Sequence, residues 1–285
     1  MVGVPVLVKA ALPAVPVVNK LPGVRKSGDD LPDLHPDLKR ERHDVPLDPA
    51  HVAAYAALCG FPRKDTLPLP YPHVLAFGLH MEIMTAGSFP FPAIGTVHLE
   101  NSITAHRPIA LDEALQVTAR ATNLRPHAKG RVFDMVTTVH SRAELVWEET
   151  STFLRRGRGS ESAEPGADLP EAPPHGITWR LPGDLGRRYA AVSGDRNPIH
   201  LYPLTAKAFG FPRQIAHGMW TMARCVGALE NRLPDAVTVA VAFKRPVLLP
   251  GTVAFGSRRT DEGWAFSLSS PSSGAPHLAG LASQA

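Results

Sequence analysis

Residues Tyr189 to His200 read YAAVSGDRNPIH and put an acid, an amide and an imidazole, Asp195, Asn197 and His200, on one short loop. Tyr189 to Ser193 predicts the end of a helix and Gly194 its stop, because glycine takes the left-handed conformation that helix ends need. Pro198 denies Asn197 the helical region and stiffens the loop. Asp195 and His200 are then held toward one cavity, which is what general acid–base chemistry on a water molecule requires. Singly, an Asp after Gly is most often a turn former and a lone His most often structural. Their combination at fixed spacing carries the functional reading.

The next segment, YPLTAKAFGFPRQIAHGMWTMARCVGALENRL, repeats Met219, Met222, Val226 and Leu229 at steps of three and four. That is one apolar helix face, read as core. Ala216, His217 and Gly218 are expected to form the first turn of this helix, where backbone N–H groups lack helical partners. Gly218 has no side chain to block approach, so its N–H could stabilise a developing negative charge on a bound oxygen. Beyond the helix the period changes. AVTVAVAFKRPVLL from Ala236, GTVAFGS from Gly251, WAFSLSS from Trp264 and HLAGLAS from His277 read as antiparallel strands between Pro and Gly turns, with a leading strand at about Ile177 to Leu181.

The string of an aromatic, small residues and Gly-Asp-x-Asn-Pro-apolar-His resembles the signature of the MaoC-like, or (R)-specific enoyl-thioester hydratase, family. The resemblance implies an α+β hot-dog fold, in which a curled antiparallel sheet wraps one long helix. It implies that Asp195 and His200 are the catalytic pair and that the Gly218 N–H is an oxyanion-hole donor. Asn197 would hydrogen-bond within the loop or to the water. The implied reaction is reversible syn hydration of a trans-2-enoyl thioester to the (3R)-3-hydroxyacyl thioester, with no cofactor.

The chain has 285 residues, enough for two domains at roughly 100–200 residues each, and it contains a weak internal repeat. Pro72, Ala76 and Gly78 match Pro212, Ala216 and Gly218 at one constant offset, and Arg107-Pro108 matches Arg245-Pro246. ALQVTARATNL from Ala114 and RVFDMVTTVHSRAELVWEETSTFLRR from Arg131 are long strand candidates of the first half. The copy fails at the active loop, because the interval from Tyr55 to Pro72 is six residues shorter than that from Tyr189 to Pro212. It offers Asp65 but no imidazole. The expected architecture is a double hot-dog: an extension at 1–40, a degenerate repeat at 41–154, a linker at 155–176 and a catalytic repeat at 177–285. It is similar to the actinobacterial two-hot-dog (3R)-hydroxyacyl-thioester dehydratases, a likeness that points to elongation of long acyl chains. In such proteins the degenerate half helps house a long acyl chain, and Leu75, Leu79 and Ile83 are the expected groove walls.

Residues 155–176 are rich in Gly, Ser, Pro and charge and read as a surface linker. Pro5, Pro13 and Pro16 interrupt the apolar N-terminal run, so neither a membrane span nor a signal peptide fits, and extended segments packed on the first domain are expected. A formal charge of +4 and a pI of about 9.2 suggest nucleic acid, but no recognition motif accompanies the densest cluster, Arg155, Arg156 and Arg158. The same balance attracts coenzyme A phosphates or an acidic acyl carrier protein, with Lys207, Arg213, Lys244 and Arg245 as candidate contacts. Cys59 and Cys225 imply no disulfide framework and suit a reducing cytoplasm.

The thirteen histidines form no recognised metal-ligand pattern, and His73 and His80 stand seven apart. No phosphate loop and no G-x-S-x-G elbow occurs, so the substrate must carry its own activation. The expected partners are an enoyl or 3-hydroxyacyl thioester of coenzyme A or acyl carrier protein and a second copy of the chain in a homodimer. Two other readings stand beside the hydratase: a hot-dog acyl-thioesterase and a non-catalytic acyl-thioester-binding subunit.

Overall fold

The computed structural model describes residues 34–93, 95–161, 165–173 and 176–285. The expectation for the proline-interrupted N-terminal run lies outside them. Lys39–Val45 forms strand β1, Thr96–Ala105 β2, Leu115–His127 β3, Gly130–Ser141 β4 and Glu144–Arg156 β5. Ile177–Leu181 forms β6, Val237–Phe243 β7, Gly251–Arg259 β8, Gly263–Ser269 β9 and Pro276–Gln284 β10. The helices are α1 (Pro49–Cys59), α2 (Tyr71–Met84), α3 (Leu185–Ser193), α4 (Pro203–Ala208) and α5 (Gly218–Leu229).

All ten strands join one antiparallel sheet in the order β1-β3-β4-β5-β2-β7-β10-β9-β8-β6. The first five strands therefore repeat in the second five with the same connectivity, mirrored about a seam where β2 pairs β7 from Glu100↔Ala242 to Ala105↔Val237. This is the double hot-dog: each half curls around its own helix, α2 or α5. Alternation drives it. In β7 every second residue, Val237, Val239 and Val241, is buried, so one face of the strand turns to the core. The stretch from Arg131 to Arg156 becomes two strands because Arg142 takes a positive φ of 56° and turns the chain.

Two boundaries differ from the sequence reading. β1 starts at Lys39, inside the segment assigned to the extension, and β5 runs through Arg156, inside the segment assigned to the linker. The described part of that linker lies on the sheet surface: Ala167 N–H donates to Glu100 Oε1 at 2.7 Å and Ser267 Oγ to the Pro173 carbonyl at 2.7 Å.

The two repeats also differ at their central helices. The repeat aligns Gly78 with Gly218, yet α5 begins at Gly218 whereas α2 begins at Tyr71. Before α5 the chain is held extended, because Ile215 bridges Leu248 and the Ala216 N–H donates to the Val247 carbonyl at 2.8 Å. Ala216 is therefore not in the first turn of the helix, as the sequence had suggested, and its N–H is not free. His217 is the N-cap residue and Gly218 the first helical residue.

Candidate active site

Helix α3 delivers the loop. Gly194 ends it with φ 77° and its N–H on the Ala190 carbonyl, in the manner expected of a left-handed stop. Asp195 Oδ1 then accepts from the Asn197 N–H at 3.0 Å, and Asn197 Oδ1 from the Ile199 N–H at 3.4 Å. These two side-chain turns convert a flexible crossing into a fixed one. Asn197 has φ −56° and ψ 125°, outside the helical region before Pro198, and caps a short 3₁₀ turn, Pro198–His200. Asn197 thus acts within the loop. Gly186 of α3 lies against the His200 main chain, where a Cβ would run into the His200 carbonyl.

His200 is buried, and its Nδ1–H donates to the Ile215 carbonyl at 2.8 Å. In the neutral ring that bond leaves Nε2 as a lone pair. Burial lowers the His200 pKa below its ordinary value despite the Asp195 charge, so the ring is held ready to accept a proton. Burial pushes the Asp195 carboxyl up, but His217, His200, the Asn197 N–H and His73 outweigh it, and its pKa lies below the ordinary value.

His217, which the sequence reading placed only in a helix turn, belongs to the site. Its Nε2–H donates to the Asp195 carbonyl at 3.0 Å, and its ring stacks on His200 with centroids 3.7 Å apart. It fixes both members of the pair. Burial, with His200 beside it, brings its pKa down to about 3. Its position directly before Gly218 was the available signal. Asp195, His200 and His217 also offer ligand atoms within 4.8 Å of one another. Two imidazoles on one zinc must point their in-plane lone pairs at a common point. Rings stacked only 26° from parallel do not, so the trio fits a metal poorly.

Asp195, Asn197, His200 and Gly218 line one cavity of about 690 Å³. Gly218 N–H is the first donor of α5 and has no acceptor among the described residues. The Phe243 ring covers the same glycine, 3.3 Å from where a Cβ would stand. Lys244 and Arg245 also line the cavity, together with Lys129, which the sequence reading did not name, and Arg156, which it named only within the basic cluster of the linker. Lys207 and Arg213 do not.

The first half supplies a wall through His73, Phe77, His80, Met81 and Met84, spaced along one face of α2. Leu75, Leu79 and Ile83 are not on that face. Leu79 and Ile83 are fully buried core and Leu75 packs against the core, because the periodic apolar stripe of a helix turns inward, and the cavity faces the mixed stripe beside it. The counterpart position in the first half is a cavity of about 280 Å³ lined by Pro72, Arg107 and Pro108. There Gly78 lies inside α2, so its N–H serves the helical ladder, and Asp65 does not line the cavity.

With this geometry in place, the chain compares with known proteins as follows. The MaoC like domain matches residues 164–266. The chain is 42% identical to 3-hydroxyacyl-thioester dehydratase X of Mycobacterium tuberculosis over 95% of its own length and 94% of the relative's. It is similar to the crystal structure of HtdX from that organism with a TM-score of 0.78 and 41% identity, covering 87% of this chain and 100% of that one. A conserved hypothetical M. tuberculosis protein described as having a double hotdog fold is similar in fold alone, with a TM-score of 0.52 and 14% identity over 91% and 96% of the two chains. Identity of that order across nearly the whole length settles the family, and the chain belongs to the MaoC-like dehydratases.

Proposed function

We infer that the protein hydrates trans-2-enoyl thioesters reversibly to (3R)-3-hydroxyacyl thioesters in fatty-acid metabolism. The observation that carries this is the convergence of the Asp195 carboxylate, the His200 imidazole and the Gly218 N–H on one cavity. A water held between Asp195 and His200 Nε2 gives up a proton as its oxygen bonds to C3. The C2=C3 electrons move toward the thioester carbonyl, whose oxygen takes the charge against the Gly218 N–H and the positive end of α5. A proton returned by the same pair to C2 completes a syn addition and restores the pair. Dehydration is the same path reversed.

Lys129, Arg156, Lys244 and Arg245 give the cavity a basic lining. That suits the phosphates of coenzyme A or of a carrier-protein arm. Phe77, Met81 and Met84 would receive the acyl chain, which gives the first half a housing role and favours elongation of long chains. Incubation with trans-2-enoyl-CoA tests the reading through two simultaneous readouts. Loss of enoyl absorbance without free thiol is expected. Thiol release would mean a thioesterase, and no turnover by the pure chain would mean a binding subunit.

A further inference from the structure

The α2 wall is not uniformly apolar. Met81 and Met84 suit an alkyl chain, but His73 and His80 on the same face put two imidazoles against the cavity, with ring centroids 5.3 Å apart. Each ring has one nitrogen committed to the protein. His73 Nδ1–H lies 2.9 Å from both oxygens of Glu149, and Glu149 is held in turn by Asn101 Nδ2–H at 2.7 Å. His80 Nε2 and Thr137 Oγ1 are hydrogen-bonded at 2.7 Å. The remaining nitrogens, His73 Nε2 and His80 Nδ1, have no hydrogen-bond partner among the described residues, and both rings line the cavity.

Glu149 is buried to 1% exposure on the second line of this wall. Burial opposes charge on His73, but Glu149 outweighs it and the His73 pKa rises above its ordinary value. Burial and the neighbouring His73 charge hold His80 neutral, at about 3. The Glu149 charge favours the doubly protonated His73 ring, in which Nε2–H is a charge-assisted donor, and in the tautomer with His80 Nε2–H on Thr137 the His80 Nδ1 is an acceptor. Burying a charged pair against plain methylenes is unfavourable unless its free donor finds a partner.

A donor and an acceptor side by side match a hydroxyl group, which accepts from one and donates to the other. We propose that the physiological acyl thioester carries a hydroxyl on its chain, apart from the one made or removed by the reaction, and that His73 and His80 bind it. This rests on the hydratase reading for the direction of the chain, but the subsite itself is a binding site and is testable without turnover. It makes His73 and His80 specificity-determining residues supplied by the half that lacks the acid–base pair.

The test has two arms. In the first, calorimetry measures binding of saturated acyl-CoA thioesters of one chain length: unsubstituted, monohydroxylated at successive chain positions, and carrying a terminal carboxylate. One hydroxylated isomer should bind about ten- to a hundredfold more tightly than the plain chain, the span expected of a hydrogen bond to a charged group. In His73→Phe and Glu149→Gln that ratio should fall to about one. In the second arm the matching trans-2-enoyl-CoAs are assayed for hydration, and kcat/KM should follow the same order. Equal or tighter binding of the plain chain by the wild type would overturn the subsite whether or not either variant folds, since water alone would then occupy it. Preference for the carboxylate would overturn the hydroxyl in favour of an anionic chain. Selective binding without hydration of any enoyl thioester would sink the proposed reaction and leave the subsite standing.

Discussion

Asp195→Asn separates the charge at the site from the architecture around it. Oδ1 of Asp195 accepts the Asn197 N–H at 3.0 Å, a bond an amide oxygen reproduces, and the main-chain carbonyl that accepts from His217 at 3.0 Å is untouched. The Pro198–His200 turn, anchored by Asn197 and by the His200 bond to Ile215, should persist. What disappears is the anionic second oxygen that, in the proposed reaction, would orient and polarise the water. Loss of a positioned acid or base costs about 10²–10⁴-fold, which at 1.36 kcal/mol per tenfold is about 2.7–5.4 kcal/mol of barrier. The expected result is a fall of that size in kcat on trans-2-enoyl-CoA, followed by enoyl absorbance, with KM changed little because the basic lining and Gly218 are intact. Circular dichroism should match the wild type. A folded variant with kcat within about threefold of the wild type would refute the assignment of Asp195.

His200→Ala should lose about as much activity, and the double variant with Asp195→Asn little more than either alone, because two groups acting on one water are not additive; a double loss equal to the product of the singles would show independent roles. His80 and His217 are held near pKa 3 when folded against about 6.5 when unfolded. The unfolded chain takes up their protons first, so stability is complete above about pH 6.5 and falls below it by up to about 2.7 kcal/mol per pH unit for the pair. His73, with its raised pKa, is protonated in both states below about pH 6.5 and adds little to this slope, so a melting temperature that holds or rises between about pH 6.5 and 4.5 would refute it. Lys244→Ala with Arg245→Ala should raise KM for enoyl-CoA, most at low salt, whereas Lys207→Ala outside the cavity should not. Asp65→Ala should leave turnover nearly intact, and a collapse in the folded variant would put chemistry in the wrong half.

The loop was legible because its constraints are local. Gly194, Asn197 and Pro198 each restrict their own backbone, so a reader of the sequence can place Asp195 and His200 without knowing the rest. The strands of the second half were legible for a similar reason, since alternation and turn residues sit in one short window. His217 and the α2 wall were not. His217 matters through a stacking partner on another segment and a carbonyl twenty-two residues away. The choice between the stripes of α2 depends on which face the second half leaves open. Leu79 and Ile83 were expected as groove walls because they lie on the helix that matches the one in the second half, but the core claims those side chains first. His73 and His80 were visible at their spacing, although a metal pattern is the wrong template for two rings that each spend one nitrogen on a different protein partner.

The asymmetry between the halves follows from where each central helix begins. In the second half the bridge from Ile215 to Leu248 and the Ala216–Val247 bond keep the preceding segment extended, so the helix cannot grow backward past Gly218 and its first N–H stays open to the cavity. In the first half the shorter connection lets α2 run back to Tyr71, with Pro72 tolerated in its first turn. That extension removes the Gly78 N–H from use, and the same added turns carry His73 and Phe77 into the cavity of the other half. One change in helix start therefore abolishes a donor on one side of the β2–β7 seam and builds a wall on the other. Neither half encloses the site alone, because Asp195, His200 and Gly218 come from one repeat and the facing stripe of α2 from the other. A second site of this kind would thus require unwinding the very turns of α2 that wall the first cavity.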